Sequence, residues 1–120
     1  MVGSAVLVVE DNQDIRETIV ELLISEGYIV LAACDGLDAL SKLEQGPQPT
    51  WILLDLTMPK MGGRECLSEI RKNPHWAEIP VTLLSASFRI NNEAKLHNVD
   101  YLEKPFELNV LIAMATKHCK

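Results

Sequence analysis

The chain has 120 residues, the usual size of one domain, so one hydrophobic core is expected and a multidomain machine is not. Its 48% hydrophobic and 23% charged residues are typical of a globular protein rather than a disordered or fibrous one. The net charge of −6 comes from the first half, because residues 1–60 carry ten acids and three bases. An acidic chain without a Lys/Arg cluster is a poor nucleic-acid binder, and its acidic half instead suggests a cation site.

Five short apolar runs rich in β-branched residues alternate with longer amphipathic stretches. They predict strands at 5–9, 29–33, 51–54, 81–84 and 101–102. Because the hydrophobicity within these runs is continuous rather than alternating, the strands are expected to be covered on both faces, as in a parallel sheet between helices. The pattern predicts one doubly wound α/β domain over residues 1–120, with right-handed crossovers.

The stretches between the runs predict five helices. The first begins with a capping pattern, Asp14-x-x-Glu17, and ends at Gly27. The second ends near position 46, the third before position 74, and the last covers about 110–114. The fourth, at 90–98, has few apolar anchors between asparagines and is predicted to be short or irregular.

The cysteines, histidines and termini argue against several site classes. The cysteines are odd in number and have neither C-x-x-C nor zinc-site spacing, so we expect free thiols in a reducing compartment: Cys34, Cys66 and Cys119. The three histidines lack helical metal-ligand spacing. No run is long enough for a signal peptide or a membrane span, which predicts a cytoplasmic protein that does not bind membranes.

Polar residues stand where the predicted strands end. Glu10 and Asp11 follow the first strand, Asp55 the third, Ser85 the fourth and Lys104 the fifth. Ligands of doubly wound folds bind at the carboxyl ends of the strands, so these side chains are expected to converge. Three neighbouring carboxylates repel one another unless a cation lies among them, and an all-oxygen site suits Mg²⁺.

This constellation favours phosphoryl transfer to a carboxylate. A carboxylate is ionised at neutral pH and needs only positioning and charge neutralisation, which Mg²⁺ and Lys104 would provide. Asp55 is the best nucleophile candidate, because it follows a fully apolar strand and precedes a tight turn that contains Gly62 and Gly63. Ser85 would donate its hydroxyl to the anion.

Four motifs in order resemble the signatures of the receiver domains of two-component response regulators. They are VVEDN at 8–12, LLDLTMP at 53–59 followed by Gly63, LSA at 84–86 and YLEKPF at 101–106. The resemblance spans essentially the whole chain. It implies a flavodoxin-like (βα)5 fold of strand order 2-1-3-4-5 and a signalling switch rather than an enzyme, although one that promotes its own phosphorylation and dephosphorylation.

The resemblance also implies a role for each site residue. Asp55 matches the phosphoryl acceptor, and the metal ligands would be Glu10 through water, Asp11 directly, Asp55 and the backbone carbonyl of Thr57. Lys104 matches the lysine that contacts the phosphoryl group, and Lys104-Pro105 is expected to be a cis peptide. Ser85 and Tyr101 match the switch pair that changes the output face, which includes the fourth and fifth helices. The segment between Ser85 and Tyr101 is shorter than usual, so a standard output mode is not assumed.

The implied partners are a sensor histidine kinase or phosphotransfer protein and an unidentified output protein. With no effector domain in 1–120, the chain is expected to act through protein contacts, as a monomer or weak homodimer. A receiver that works without phosphorylation stays open as an alternative. An aspartyl phosphohydrolase is less favoured because Thr57 stands where a second acid is wanted, and an FMN protein because Glu10 and Asp11 would repel phosphate.

Overall fold

The computed structural model describes residues 5–56, 61–85 and 99–119. They form a five-stranded parallel sheet of order β2-β1-β3-β4-β5 and four helices. The strands are Ala5–Val9 (β1), Ile29–Ala33 (β2), Trp51–Asp55 (β3), Val81–Ser85 (β4) and Asp100–Glu103 (β5). The helices are Gln13–Ser25 (α1), Gly36–Gln45 (α2), Gly63–Lys72 (α3) and Leu108–His118, the C-terminal helix. The predicted fold and strand order are confirmed, whereas the helix predicted at 90–98 lies outside the described residues.

The helices cover both faces of the sheet, which explains the continuous apolar strands. Leu7 and Val9 of β1 pack in the core formed with α2 and α3. Val6 and Val8 point to the opposite face, into the core formed with α1 and the C-terminal helix. Successive strand residues thus serve different cores, so every position of β1 must be apolar. None of the helices in the described ranges is long and apolar enough to cross a bilayer.

The strands differ in how completely they are buried. Every residue of β1, β3 and β4 is buried, as predicted for strands covered on both faces. β2 and β5 are the edges of the sheet and are only partly covered: Ile29 is 49% and Tyr101 is 40% exposed. The prediction of complete cover therefore fails for the two edge strands, because each has a neighbouring strand on one side only.

The start of α1 differs from the predicted capping pattern. The N-cap is Asn12, whose side-chain oxygen accepts a hydrogen bond from the Ile15 amide at 3.0 Å, while Asp14 lies within the first turn. The prediction of a cap at Asp14 was wrong because the chain turns into the helix immediately after the strand-end acids. The predicted end at Gly27 is confirmed, since this residue has a φ of 95°, which favours glycine.

Polar contacts fasten the C-terminal helix to the sheet at the edge opposite the strand-end acids. The buried Trp51 indole donates to the Thr82 hydroxyl at 2.9 Å, and the His118 ring stacks on Trp51 with centroids 5.4 Å apart. Lys117 and His118 contact the Asp100 carboxylate at 3.1 and 2.9 Å. Partial burial of Asp100 opposes its ionisation, but the hydrogen bonds from these two partners lower its pKa below the ordinary value.

Candidate functional site

The three strand-end acids meet at the carboxyl edge of the sheet. Val9 of β1 is paired with Leu54 of β3, so Glu10 and Asp55, the next residues, leave the paired region side by side. Carboxylate oxygens of Glu10, Asp11 and Asp55 lie within 4.8 Å of one another. Glu10 and Asp55 are buried, whereas Asp11 is exposed. The fold therefore brings together acids that lie up to 45 positions apart in the sequence.

Lys104 completes this cluster from the end of β5. Its ammonium lies 2.5 Å from Glu10 Oε1 and 3.5 Å from Asp55 Oδ2. The Lys104 amide donates to the Ser85 carbonyl at 2.9 Å, and the peptide bond to Pro105 is cis, as predicted. The Lys104 side chain is only 16% exposed, so solvent screens its charge weakly and its attraction to the two buried carboxylates is strengthened.

Hydrogen bonds fix the turn that carries Glu10 and Asp11. The Glu10 amide donates to the Ala33 carbonyl at 3.0 Å, and Glu10 Oε2 accepts from the Asn12 amide at 3.1 Å. From α1, Arg16 donates to the Glu10 carbonyl at 2.8 Å. Arg16 is not among the site residues predicted from the sequence. Its position one turn into a helix that follows two acids is the signal that was available.

Gly63 brings the start of α3 against the strand that carries Asp55. Its amide donates to the Leu56 carbonyl at 3.0 Å, and a Cβ at this position would overlap the carbonyl oxygen of Asp55. A Cβ on Gly62 would lie at an ordinary 3.7 Å from the Leu56 carbonyl. Glycine at 63 is thus required by the close approach of two backbones.

The other predicted site residues lie around this cluster. Ser85 is buried at the end of β4, next to β5. Tyr101 is paired with Leu83, on the part of β5 that lies before Lys104, and its side chain is partly exposed. Thr57 lies outside the described residues. The structure therefore gathers Glu10, Asp11, Asp55 and Lys104 directly, with Ser85 on the adjacent strand end.

The cluster is open on one side. Asp11 is exposed, and Lys104 also borders a cavity of about 530 Å³ lined largely by apolar side chains of α1 and of the segment after Lys104, including Ile15, Phe106 and Leu108. Glu10, by contrast, is completely buried. A small ligand thus has a route to the carboxylates from the side of Asp11.

The donor set fits Mg²⁺. The ion prefers oxygen ligands at about 2.0–2.1 Å, which places two ligands of one ion up to about 4.2 Å apart. The carboxylate oxygens, at no more than 4.8 Å, need only a small closure or an intervening water. Glu10 Oε1 is buried and has the Lys104 ammonium as its ion-pair partner, and a carboxylate oxygen with one such partner can still coordinate a cation through its second lone pair.

The acidic cluster and its lysine lie at the carboxyl ends of the strands in a sheet of order 2-1-3-4-5. A match between this chain and a protein-family model agrees with that arrangement. Residues 6–116 match the model of the response regulator receiver domain. The chain belongs to this family. Receiver domains are signalling switches of two-component phosphorelays rather than turnover enzymes, they bind Mg²⁺ at an acidic pocket, and they are phosphorylated by histidine kinases or phosphotransfer proteins.

Receiver domains similar to this one occur in proteins of very different length. Protein PilG of Pseudomonas aeruginosa is 34% identical over 119 residues, which cover 97% of this chain and 87% of PilG. Hybrid signal transduction histidine kinase D of Dictyostelium discoideum is 38% identical over 111 residues, covering 90% of this chain. This receiver spans only 7% of that kinase.

Solved structures of receiver proteins have the same fold. Chemotaxis protein CheY4 of Vibrio cholerae superimposes with a TM-score of 0.86 at 29% identity, covering 96% of this receiver and 98% of CheY4. The Mn²⁺-bound form of response regulator Rcp1 superimposes with a TM-score of 0.78 at 33% identity, covering 95% and 90% of the two chains.

Proposed function

We propose that this receiver domain accepts a phosphoryl group on Asp55 in a Mg²⁺-dependent reaction. The donor is the phosphohistidine of a sensor histidine kinase or phosphotransfer protein. The observation that carries the proposal is the convergence of three carboxylates within 4.8 Å, with the Lys104 ammonium 3.5 Å from Asp55. The Mn²⁺-bound relative supports a divalent cation, and the hybrid kinase relative supports a kinase as donor.

The reaction needs no general base, because an ionised carboxylate is already a nucleophile. An oxygen of Asp55 attacks phosphorus, the new O–P bond forms as the P–N bond to imidazole breaks, and the electron pair of that bond remains on the imidazole nitrogen. Lys104 offsets the negative charge that the phosphoryl group brings to Asp55. When bound by Glu10, Asp11, Asp55 and the Thr57 carbonyl, Mg²⁺ would supply further charge neutralisation at the phosphoryl oxygens.

Ser85 and Tyr101 connect the phosphorylated site to the surface. Ser85 ends β4 beside β5, and its carbonyl already accepts the Lys104 amide. In the proposed switch the Ser85 hydroxyl moves toward the phosphoryl group and the Tyr101 ring turns inward from its partly exposed position. The output is a changed protein surface around β5 and the C-terminal helix, which an output protein reads.

Phosphorylation of Asp55 is tested with small donors in place of the kinase. The purified protein is incubated with acetyl phosphate or phosphoimidazole, the latter carrying the P–N bond of phosphohistidine, with Mg²⁺ or with EDTA. Intact-mass spectrometry is expected to detect one added phosphoryl group only with Mg²⁺. Asp55→Asn is expected to remain unlabelled, whereas the matched control Asp100→Asn, at the opposite edge of the sheet, is labelled like the wild type.

Other results would support the alternatives. Labelling of Asp55→Asn to the wild-type level would overturn the proposed acceptor. An unlabelled wild type that still binds Mg²⁺ would instead favour a receiver that works without phosphorylation, and turnover of phosphate monoesters would favour a phosphohydrolase. The relay is read by fluorotyrosine NMR with Mg²⁺ and beryllofluoride: the Tyr101 signal is expected to shift, and Ser85→Ala to abolish the shift.

A further inference from the structure

Arg16 holds the two peptide carbonyls of the acidic turn. It lies in the first turns of α1 and is partly buried. One guanidinium nitrogen, Nη1, donates to the Glu10 carbonyl at 2.8 Å and also reaches the Asp11 carbonyl at 3.5 Å. The helix thus reaches back over the residues that precede it, with a short hydrogen bond to the Glu10 carbonyl and a longer one to the Asp11 carbonyl.

Two further hydrogen bonds hold the turn between β1 and α1. The Glu10 amide is bonded to the Ala33 carbonyl of β2, and the Asn12 amide is bonded to the Glu10 carboxylate. Because each peptide group is planar, the direction of its carbonyl also sets the direction of the following amide and restricts where the neighbouring side chains point. Carbonyls directed at Arg16 therefore leave the carboxylates of Glu10 and Asp11 free to face Asp55.

We propose that Arg16 is a positioning residue for the cation-binding acids of this receiver domain. It does not contact the phosphoryl group, and instead it holds the Glu10-Asp11 backbone in the observed arrangement, in which both carboxylates lie near Asp55. The inference rests on the proposed function. Arginine suits the role because its guanidinium is permanently charged and presents several N–H donors in one rigid plane, whereas a lysine ammonium is a flexible point donor.

The chain contains a matched control for the same chemistry elsewhere. Arg71 of α3 also uses Nη1 to donate to two backbone carbonyls, those of Ala77 at 2.9 Å and Ile79 at 3.0 Å. These bonds fasten the connection between α3 and β4, which holds none of the proposed site residues. Loss of either arginine removes two carbonyl contacts, but only the loss of Arg16 disturbs the acids.

The test compares Mn²⁺ affinity with stability. Mn²⁺ binding is measured by the loss of the free-ion signal in electron paramagnetic resonance, with Mg²⁺ as competitor, and stability by urea unfolding. Removing a partner that orients metal ligands typically weakens metal affinity by about 10- to 100-fold. Arg16→Ala is therefore expected to weaken Mn²⁺ binding by about 10-fold, Arg16→Lys by less, and Arg71→Ala by less than about 2-fold. Both alanine variants are expected to unfold at lower urea.

The result separates this proposal from the proposed function. Wild-type affinity in folded Arg16→Ala would overturn the positioning role and leave the proposed function standing. An equal loss of affinity in Arg16→Ala and Arg71→Ala would also overturn it, because the effect would then follow general stability. A wild-type protein that binds neither cation would overturn the proposed function itself. Should Arg16→Ala fail to fold, the Mn²⁺ affinity of Arg16→Lys is the test, since lysine retains the charge but not the planar donors. Weaker binding than in the wild type supports the positioning role, and wild-type affinity overturns it.

Discussion

Replacing Asp55 with asparagine is expected to stabilise the protein in the absence of metal. The substitution keeps the shape of the side chain and removes one of three carboxylates whose oxygens lie within 4.8 Å of one another. It also removes the attraction between Asp55 and the Lys104 ammonium at 3.5 Å. The sign of the effect depends on which of these interactions is larger.

The distances favour a net gain. At an effective dielectric constant of about 20, two like charges at the upper limit of 4.8 Å repel by about 3.5 kcal/mol, and Asp55 faces two of them. The attraction to Lys104 at 3.5 Å amounts to about 5 kcal/mol on the same scale. Solvent screens the exposed Asp11, so its share is reduced and the net repulsion at Asp55 falls to about 1 kcal/mol. The expected rise in Tm is about 4 °C.

Urea unfolding followed by the fluorescence of the buried Trp51 and Trp76 measures this difference. In EDTA, Asp55→Asn is expected to unfold at higher urea than the wild type, and added salt should shrink the gap. Saturating Mg²⁺ is expected to stabilise the wild type more than the variant, since binding to the folded state adds to its stability. A variant less stable than the wild type in EDTA, or equally stabilised by Mg²⁺, would refute the reasoning.

Two further predictions concern the supports of the site and of the sheet. Gly63→Ala is expected to destabilise the fold by about 2 kcal/mol, because its Cβ would overlap the Asp55 backbone. Gly62→Ala should cost less than about 1 kcal/mol. The urea midpoints of the two variants are compared, and equal losses of stability would contradict the crowding at Gly63. Asp100→Asn is expected to lose up to about 1 kcal/mol at pH 7, a modest value because the carboxylate is partly exposed. Since the pKa of Asp100 is lowered in the folded protein, its stabilisation is present above the unfolded pKa of about 3.9 and is lost as pH falls through the folded value. The gap between variant and wild type should therefore close below pH 4, and a constant gap would count against the ion pair.

Much of the fold follows from one-dimensional patterns. The apolar runs predict all five strands, and the order of the chain elements leaves few ways to wind them. The acids and Lys104 could be placed together from sequence because each follows a strand, and all strands of a parallel sheet end at one edge. Such reasoning needs no distances, only the fact that the strands are parallel.

Other features depend on contacts between residues that the spacing of apolar residues in the sequence does not reveal. The cap at Asn12 was missed because Asp14 offers an equally good local pattern, and only the path of the chain after Asp11 decides between them. Arg16 was missed because a charged residue in a helix usually faces solvent, and its backbone partners lie before the helix begins. The crowding at Gly63 depends on how closely α3 approaches β3, which sequence spacing does not specify.

The lysine that neutralises the acid cluster is the last of its members to be synthesised. Glu10, Asp11 and Asp55 all leave the ribosome before Lys104, so a nascent chain that ends at β4 has three like charges to bring together and lacks this ammonium. Repulsion among these carboxylates opposes their approach at the carboxyl ends of the strands until β5 is available for pairing. Pairing of β5 and neutralisation of the acid cluster by Lys104 thereby become a single late step in the folding of the domain during synthesis.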